Sequence, residues 1–180
     1  DERLVWLTGF TGSAGTAVVT NKAAAVIVDG RYTLQVREQS TSEAYVYPDY
    51  SGQAVSRFLT ETLKSGSVVG YDPWLHSHDA IKKLTKTLAA HDLSLKPVTP
   101  NLIDGLWQAE PAGQPRPPLG AFAEHDESLN GESAKEKCER LAKVLKDGGH
   151  VAHILCQPDG LAWLLNIRGR DVPNSPLPLG

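Results

Sequence analysis

A glycine-rich loop between three short apolar runs most constrains how this chain folds. The loop follows Leu4–Leu7 and has glycines at positions 9, 12 and 15. The next runs are Thr16–Thr20, which follows the loop at once, and Ala23–Val28, which stops at Asp29 and Gly30. Because glycine adopts positive φ at little cost, this spacing predicts three strands joined by tight turns.

The glycine loop does not fit the usual phosphate-binding or nucleophile motifs. A dinucleotide fingerprint opens a helix, so that backbone N–H groups and the helix dipole face the phosphates. Here β-branched residues follow directly and predict a strand instead. Ser13 also lacks the G-x-S-x-G frame of a nucleophile elbow. The residues alone therefore predict a turn.

Helix-like and strand-like segments alternate from the end of the third run to Trp107. Helices are predicted from about Arg31, over Gly52–Leu63, from Ser77 and over Leu102–Trp107, and strands over Ala44–Pro48, Ser67–Tyr71 and Leu93–Val98. This alternation predicts an α/β fold in which helices cover a mixed β-sheet. The four tryptophans are predicted to be core or interdomain anchors, namely Trp6, Trp74, Trp107 and Trp163.

A proline-rich stretch predicts a domain boundary. Four prolines lie between residues 110 and 120, and each removes an amide donor and fixes the backbone. We therefore predict a first domain over residues 1–110, a linker over 111–120 and the beginning of a second α/β domain over 121–180.

The second domain is predicted to repeat the alternation of helix and strand. Ser133 and Glu136 form a capping-box sequence, and the helix behind it carries an apolar stripe of Cys138, Leu141, Val144 and Leu145. A strand is predicted over Val151–Leu155 and a buried helical segment over Leu161–Asn166.

Composition excludes several classes of function. The net charge of −3 and the short basic clusters, of which Lys135–Lys137 is one, argue against nucleic-acid binding. No apolar run approaches the ~20 residues that span a bilayer. Two distant cysteines, Cys138 and Cys156, predict reduced thiols rather than a disulfide scaffold or zinc site.

No residue pattern predicts a metal or acid–base site. The close histidine pairs, His76 with His78 and His150 with His153, lack carboxylate or cysteine partners at the spacing of a zinc or manganese site. The acids around His125 precede a predicted helix, which favours a solvated face.

Arg31 has two interpretations. It directly follows Asp29 and Gly30 at the end of a predicted strand, where loops above a sheet gather ligand contacts. The alternative is a surface salt bridge with Asp29 or Glu38.

Several segments in the same order resemble the amino-terminal region of aminopeptidase P, the Xaa-Pro aminopeptidase branch of the creatinase/prolidase superfamily. The segments that carry the resemblance are Gly9–Thr16, Asp29–Tyr32 with Gln35, Gly70–Pro73, Asn101–Trp107 and Gly160–Asp171. The resemblance implies a creatinase/prolidase N-terminal fold with a ribonuclease H-like motif, lacking its first strand and helix. In that family the arginine of the Asp-Gly-Arg-Tyr motif helps to hold substrate, and Arg31 occupies this position.

The resemblance also implies what the chain contributes. Arg168 is a second candidate for lining the substrate cleft, whereas no position matches a catalytic or metal-binding residue. Near the end, Asn174 and Ser175 precede Pro176 where some relatives have histidine and asparagine before the proline, which weakens any expectation of the substrate contact made by that histidine. Because the chain contains no methionine, we expect it to be a piece of a longer protein whose catalytic pita-bread domain lies elsewhere.

The implied parent protein is a cytoplasmic homodimer or higher homo-oligomer that binds two divalent metals, manganese above all. It removes the first residue from peptides with proline in second position, and neither nucleic acid nor membrane is an expected partner. Two alternatives stay open: a stand-alone binding or assembly module without catalysis, and a relative of the prolidase or creatinase type.

Overall fold

The structure is a computed structural model that describes residues 2–40, 43–49 and 52–179. The chain forms two compact units, Asp1–Gln114 and Pro115–Gly180. The first unit contains, in chain order, α1 (Glu2–Thr8), β1 (Gly15–Val19), β2 (Ala24–Val28), α2 (Gln35–Gln39), β3 (Tyr45–Val46), α3 (Ala54–Thr62), β4 (Val68–Tyr71), α4 (His78–Ala89), β5 (Ser94–Pro97) and α5 (Leu102–Gln108). The second contains β6 (Ala123–Glu124), α6 (Glu127–Asn130), α7 (Ala134–Asp147), α8 (Pro158–Leu165) and β7 (Ile167–Arg168).

Strand β2 is the centre of the first unit. It pairs with β1 antiparallel and with β3 parallel, so the sheet is mixed as predicted. All five of its residues are buried, and successive side chains face opposite sides of a strand. Val26 and Val28 pack with Phe10 on one face, and Ala25 and Ile27 pack with Phe58 of α3 on the other. An uninterrupted apolar run fits this doubly covered position.

The second sheet of this unit pairs β4 with β5 in parallel, and α4 connects them. Both strands and the helix were predicted from the sequence. Ser77 caps α4 by accepting a hydrogen bond from the main-chain N–H of Ala80. Leu88 of this helix packs against Leu59 of α3 and against Leu93, so one apolar cluster joins the helices to the sheet.

The prediction of a strand over Leu4–Leu7 is wrong, because these residues lie in α1. The Nε of Arg3 donates to Oδ1 of Asp104 in α5 across 2.6 Å. Trp6 stacks on Trp107 of the same helix, with ring centroids 5.6 Å apart. Residues at i and i+3 share one face only in a helix, so these two contacts favour helical backbone.

The strand predicted over Val151–Leu155 is also wrong. Among the described residues, those from 151 to 156 take part in no main-chain to main-chain hydrogen bond. Val151 and Ile154 are 103% and 82% exposed. A strand requires a neighbouring strand to satisfy its backbone groups, and this segment has none within the described part of the chain.

In the second unit, the predicted helices at Ser133 and Leu161 are present as α7 and α8. Ser133 and Glu136 form the predicted capping box. The predicted stripe of α7 is only partly correct, because Val144 is 61% exposed and Cys138 is exposed. Neither cysteine forms a disulfide.

The tryptophans divide into two groups. Trp107 is buried, but Trp74 and Trp163 are 88% and 52% exposed, so neither is a core residue, and the alternative of an interdomain anchor stays a prediction. Trp74 lies in a short 3-10 turn, Pro73–Leu75, and its main-chain N–H donates to the Asp72 carboxylate. Within the described residues, no helix is long and apolar enough to cross a membrane.

Candidate functional site

The glycine loop is built around the buried ring of Phe10. This side chain is fully buried, and a Cβ atom added at Gly15 would lie 3.0 Å from its ring. A Cβ at Gly12 would lie closer still, within 2.9 Å of ring atoms on both edges. Gly9 has φ of +75° at the end of α1, where its N–H bonds to the carbonyl of Val5. The glycines therefore allow a helix end and close packing on the ring, and β1 follows them as predicted.

Glutamine side chains of α2 hold the exposed side of the loop. The Oε1 atom of Gln39 accepts hydrogen bonds from the main-chain N–H of Thr11 at 3.0 Å and from Nε2 of Gln35 at 3.2 Å. Nε2 of Gln39 donates to Oγ1 of Thr11 at 3.0 Å. Both amides thus fix the loop relative to the segment that contains Arg31.

Ser13 and Tyr32 connect the loop directly to the Asp29–Tyr32 turn. Their hydroxyl oxygens are 2.8 Å apart. The hydrogen bond with Ser13 lowers the pKa of the Tyr32 phenol. The ring of Tyr32 also packs edge-on against Phe10, with centroids 5.6 Å apart.

Asp29 accepts hydrogen bonds from both the side chain and the main chain of Arg31. Its Nε donates to Oδ1 of Asp29 at 2.8 Å, its Nη2 donates to Oδ2 at 3.3 Å, and its main-chain N–H donates to Oδ1 at 2.9 Å. The guanidinium carbon lies 5.2 Å from the centroid of the Tyr32 ring. Asp29 raises the pKa of Arg31, and the hydrogen bond from Arg31 lowers the pKa of Asp29.

Of the two interpretations of Arg31, the salt bridge with Asp29 is present. The arginine side chain nevertheless stays 69% exposed. Its charge is therefore oriented by neighbours and still accessible to a ligand. The predicted role in holding substrate remains a prediction.

A shallow cavity of about 240 Å³ lies beside the loop. Its wall is formed by residues of α1 and of the loop, including Glu2, Leu4, Phe10, Thr11 and Ser13. Ser13, whose hydroxyl bonds to Tyr32, therefore forms part of the cavity wall.

Arg168, the second predicted site residue, lies in the other unit. It belongs to β7, where it is opposite Ala123 of β6. Its Nη1 donates to the carbonyl of Ile167 at 3.0 Å, and the residue is half-buried.

A buried polar cluster precedes Arg168 and was not predicted from the sequence. Nζ of Lys137 donates to Oδ1 of Asn166 at 2.6 Å and to the carbonyl of Trp163 at 2.9 Å. Both Lys137 and Asn166 are buried. The sequence signal that indicates Lys137 is its position four residues before Leu141, on the same face of α7.

The described residues do not fit a metal centre. No group of three or more histidine, cysteine, aspartate or glutamate side chains among them is placed to hold an ion. Cys138 and Cys156 are both exposed.

Comparison with known proteins decides the family. Two sequence models of the creatinase/prolidase N-terminal domain match the chain, one over residues 1–106 and the other over residues 113–180. The chain belongs to the creatinase/prolidase N-terminal domain family. The resemblance predicted from Gly9–Thr16 and Asp29–Tyr32 is thereby confirmed, and so is the α/β fold class.

Relatives of this creatinase/prolidase N-terminal chain carry aminopeptidase names. It is 36% identical over 179 residues to Aminopeptidase P2 of Arabidopsis thaliana, covering 97% of the chain and 25% of the relative. It is 34% identical to human Xaa-Pro aminopeptidase 2, covering 98% of the chain and 26% of the relative. The chain thus spans about a quarter of the length of these relatives.

A solved structure resembles the chain over almost its full length. This is the X-prolyl aminopeptidase of Caenorhabditis elegans, described as a cytosolic enzyme with a di-nuclear active site. The similarity has a TM-score of 0.82 at 33% identity and covers 98% of this chain and 29% of that one.

Proposed function

We propose that this chain is the non-catalytic amino-terminal part of a metal-dependent Xaa-Pro aminopeptidase. The observation that carries the proposal is similarity to such enzymes over 97% and 98% of the chain, at 36% and 34% identity. The parent enzyme removes the first residue from peptides that have proline in second position. The chain contributes to its substrate cleft and to contacts between subunits of a homodimer or higher homo-oligomer.

The two metals of the proposed enzyme, with manganese as the expected ion, are assigned to residues other than those described. The di-nuclear site described for the Caenorhabditis elegans enzyme supports the number of ions. A cytoplasmic location is proposed on the same similarity.

Arg31 is the residue through which the chain most directly contacts substrate in this proposal. A guanidinium presents only donors, in a planar arrangement that suits the carbonyl and carboxylate oxygens of a peptide. Its contacts with Asp29 and Tyr32 orient the group before substrate arrives. Preorientation of this kind reduces the entropy lost on binding.

Hydrolysis of Xaa-Pro peptides tests the proposal. The purified 180-residue chain and the product of the uninterrupted gene are each assayed with added Mn²⁺, and release of the first residue is measured. We expect activity only in the longer product, and only when proline is second. A matched peptide with alanine in that position is the control.

Other outcomes separate the alternatives. Activity of the short chain would require a catalytic site among its own residues. Absence of activity in both products would favour a binding or assembly module. Cleavage of Xaa-Pro dipeptides alone, or of creatine, would instead indicate the prolidase or creatinase type.

A further inference from the structure

Lys137 is a buried cation that has no carboxylate partner among the described residues. Among the described residues it is the one charged side chain in the buried class, with 2% exposure. No ion pair connects it to an acidic side chain in the described part of the chain. Burial of an ammonium group is costly unless hydrogen bonds compensate for its lost hydration. Its contacts therefore indicate what the group stabilises.

The Lys137 side chain joins α7 to the end of α8. Its Nζ donates to Oδ1 of Asn166 and to the carbonyl of Trp163, at 2.6 and 2.9 Å. The same atom lies 4.5 Å from the centroid of the Trp163 ring, a cation–π contact. Two of the three donors of the ammonium group are thus used in hydrogen bonds at the end of α8.

Asn166 links Lys137 to main-chain groups of neighbouring segments. It ends α8 in the left-handed region, with φ of 50° and ψ of 47°. Its Nδ2 donates to the carbonyl of Glu132 at 2.9 Å, just before α7 begins. Its own carbonyl accepts the N–H of His125 at 2.8 Å. Both ends of the Asn166 side chain are thus fixed to the start of α7.

The bond between Asn166 and His125 is continuous with the β6–β7 ladder. Ile167 lies opposite Glu124, and Arg168 lies opposite Ala123. A fixed Asn166 therefore sets where β7 starts and where Arg168 is held.

We infer that Lys137 is a positioning residue for Arg168, acting through Asn166 and the β6–β7 pair. The inference rests on the proposed function and on the expectation, from the family resemblance, that Arg168 lines the substrate cleft. Lys137 does not touch substrate in this arrangement. Its loss changes substrate binding only by releasing Arg168.

The test uses the product of the uninterrupted gene with the variants Lys137→Met and Arg168→Gln and the double variant. Methionine keeps an unbranched chain of similar length and removes the donor. We expect Lys137→Met to raise KM for an Xaa-Pro peptide about 3- to 10-fold, as for loss of one or two hydrogen bonds, with kcat changed less. In the Arg168→Gln background, the same change should have no further effect. Lys143→Met, an exposed lysine of the same helix, is the matched control.

Amide hydrogen exchange supplies a measurement that does not depend on activity. Lys137→Met should raise exchange at residues 123–124 and 167–168, and trypsin should cleave faster after Arg168. Asn166→Gly is the second variant of this measurement, because it keeps access to positive φ and removes the side chain through which Lys137 acts. This variant should also raise amide exchange at residues 123–124 and 167–168 and speed tryptic cleavage after Arg168.

The outcomes separate this inference from the proposed function. If Arg168→Gln raises KM but Lys137→Met does not, or if their effects add, the inference is wrong and the proposed function stands. If Arg168→Gln leaves an active enzyme unchanged, Arg168 has no role in the cleft and the inference falls with it. If no Xaa-Pro peptide is cleaved, the proposed function fails, and unchanged exchange at residues 167–168 would additionally show that Lys137 does not hold β7.

Discussion

A single carboxylate oxygen, Oδ1 of Asp29, accepts both the main-chain N–H and the side-chain Nε of Arg31, at 2.9 and 2.8 Å. The first bond caps the turn and the second orients the guanidinium. Backbone shape and side-chain direction at this position thus depend on the same group. The Arg31 side chain nevertheless remains 69% exposed.

Arg31→Ala is expected to lower kcat/KM for Xaa-Pro peptides without loss of metal. Removal of a charge-assisted contact with substrate costs about 1–3 kcal/mol, or about 5- to 150-fold. Steady-state kinetics and metal analysis of the uninterrupted gene product measure the two effects. Arg57→Ala is the control, since Arg57 is an exposed arginine of the same unit. An unchanged kcat/KM would remove Arg31 from the substrate site.

Gly12→Ala is expected to destabilise the first unit. The added Cβ would overlap the fully buried Phe10 ring, which is confined by Val26 and Val36. Overpacking of this kind costs about 1–3 kcal/mol in the free energy of unfolding. Urea denaturation measures it.

Two further variants make that result specific. In a Phe10→Leu background the added methyl group meets less of the ring position, so Gly12→Ala should cost less. Gly105→Ala, at a helix position with no neighbour within 4 Å, should instead stabilise by about 0.5–1 kcal/mol. Equal stability of Gly12→Ala and the parent chain would mean that the ring is not seated against Gly12.

Local signals sufficed to predict the elements whose fold depends on local chemistry. Strand β2 was predicted from its continuous apolar run. Helices α4 and α7 were predicted from the helical spacing of their apolar residues together with the N-terminal caps Ser77 and Ser133. Such signals act within a few residues, so the sequence displays them directly.

The wrong strand predictions concern short apolar runs, where the spacing of apolar residues cannot distinguish helix from strand. Leu4–Leu7 is helical because Arg3 and Trp6 contact α5, about a hundred residues later. No feature of the sequence near these residues indicates that contact. Residues 151–155 carry strand-like side chains but no pairing partner within the described part of the chain.

Only the part of the candidate site that lies in a recognisable sequence motif could be predicted. Arg31 was identified from its motif, but its bonds to Asp29 and the seating of Gly12 on Phe10 emerge from the fold. Lys137 resembles a solvated basic residue in the sequence, and its burial depends on Asn166, 29 positions later.

Trp107→Ala is expected to loosen α1 from α5. Trp107 is 9% exposed and stacks on Trp6. Truncation of a buried aromatic residue costs about 3–5 kcal/mol in the free energy of unfolding. Tryptophan fluorescence during urea denaturation follows this change. Trp74→Ala is the matched control, because that side chain is 88% exposed and should cost little. Equal losses in the two variants would contradict the stacking role.

Asp171 should make part of the second unit sensitive to acid. Its Oδ2 accepts the N–H of Leu179 at 2.8 Å and its Oδ1 accepts the N–H of Gly120 at 2.5 Å. These two hydrogen bonds lower the pKa of the carboxyl group. Because the pKa in the folded state is depressed, the stabilisation is complete above the unfolded value of about 3.9 and is lost as pH falls through the folded value.

Amide exchange at Gly120 and Leu179 measures this loss directly. Relative to intrinsic exchange rates, protection of both amides should be constant from about pH 7 to pH 5 and should be lost as the pH falls below the unfolded value of about 3.9 and through the lowered pKa of the folded carboxyl group. The amide of His125 bonds to the Asn166 carbonyl instead, so its protection should not follow that titration. In Asp171→Asn, the side-chain amide presents a donor to one of the two N–H groups, so that amide should exchange fast at every pH. Protection of Gly120 and Leu179 that persists unchanged at about pH 2 would show that the Asp171 carboxylate does not hold these segments together.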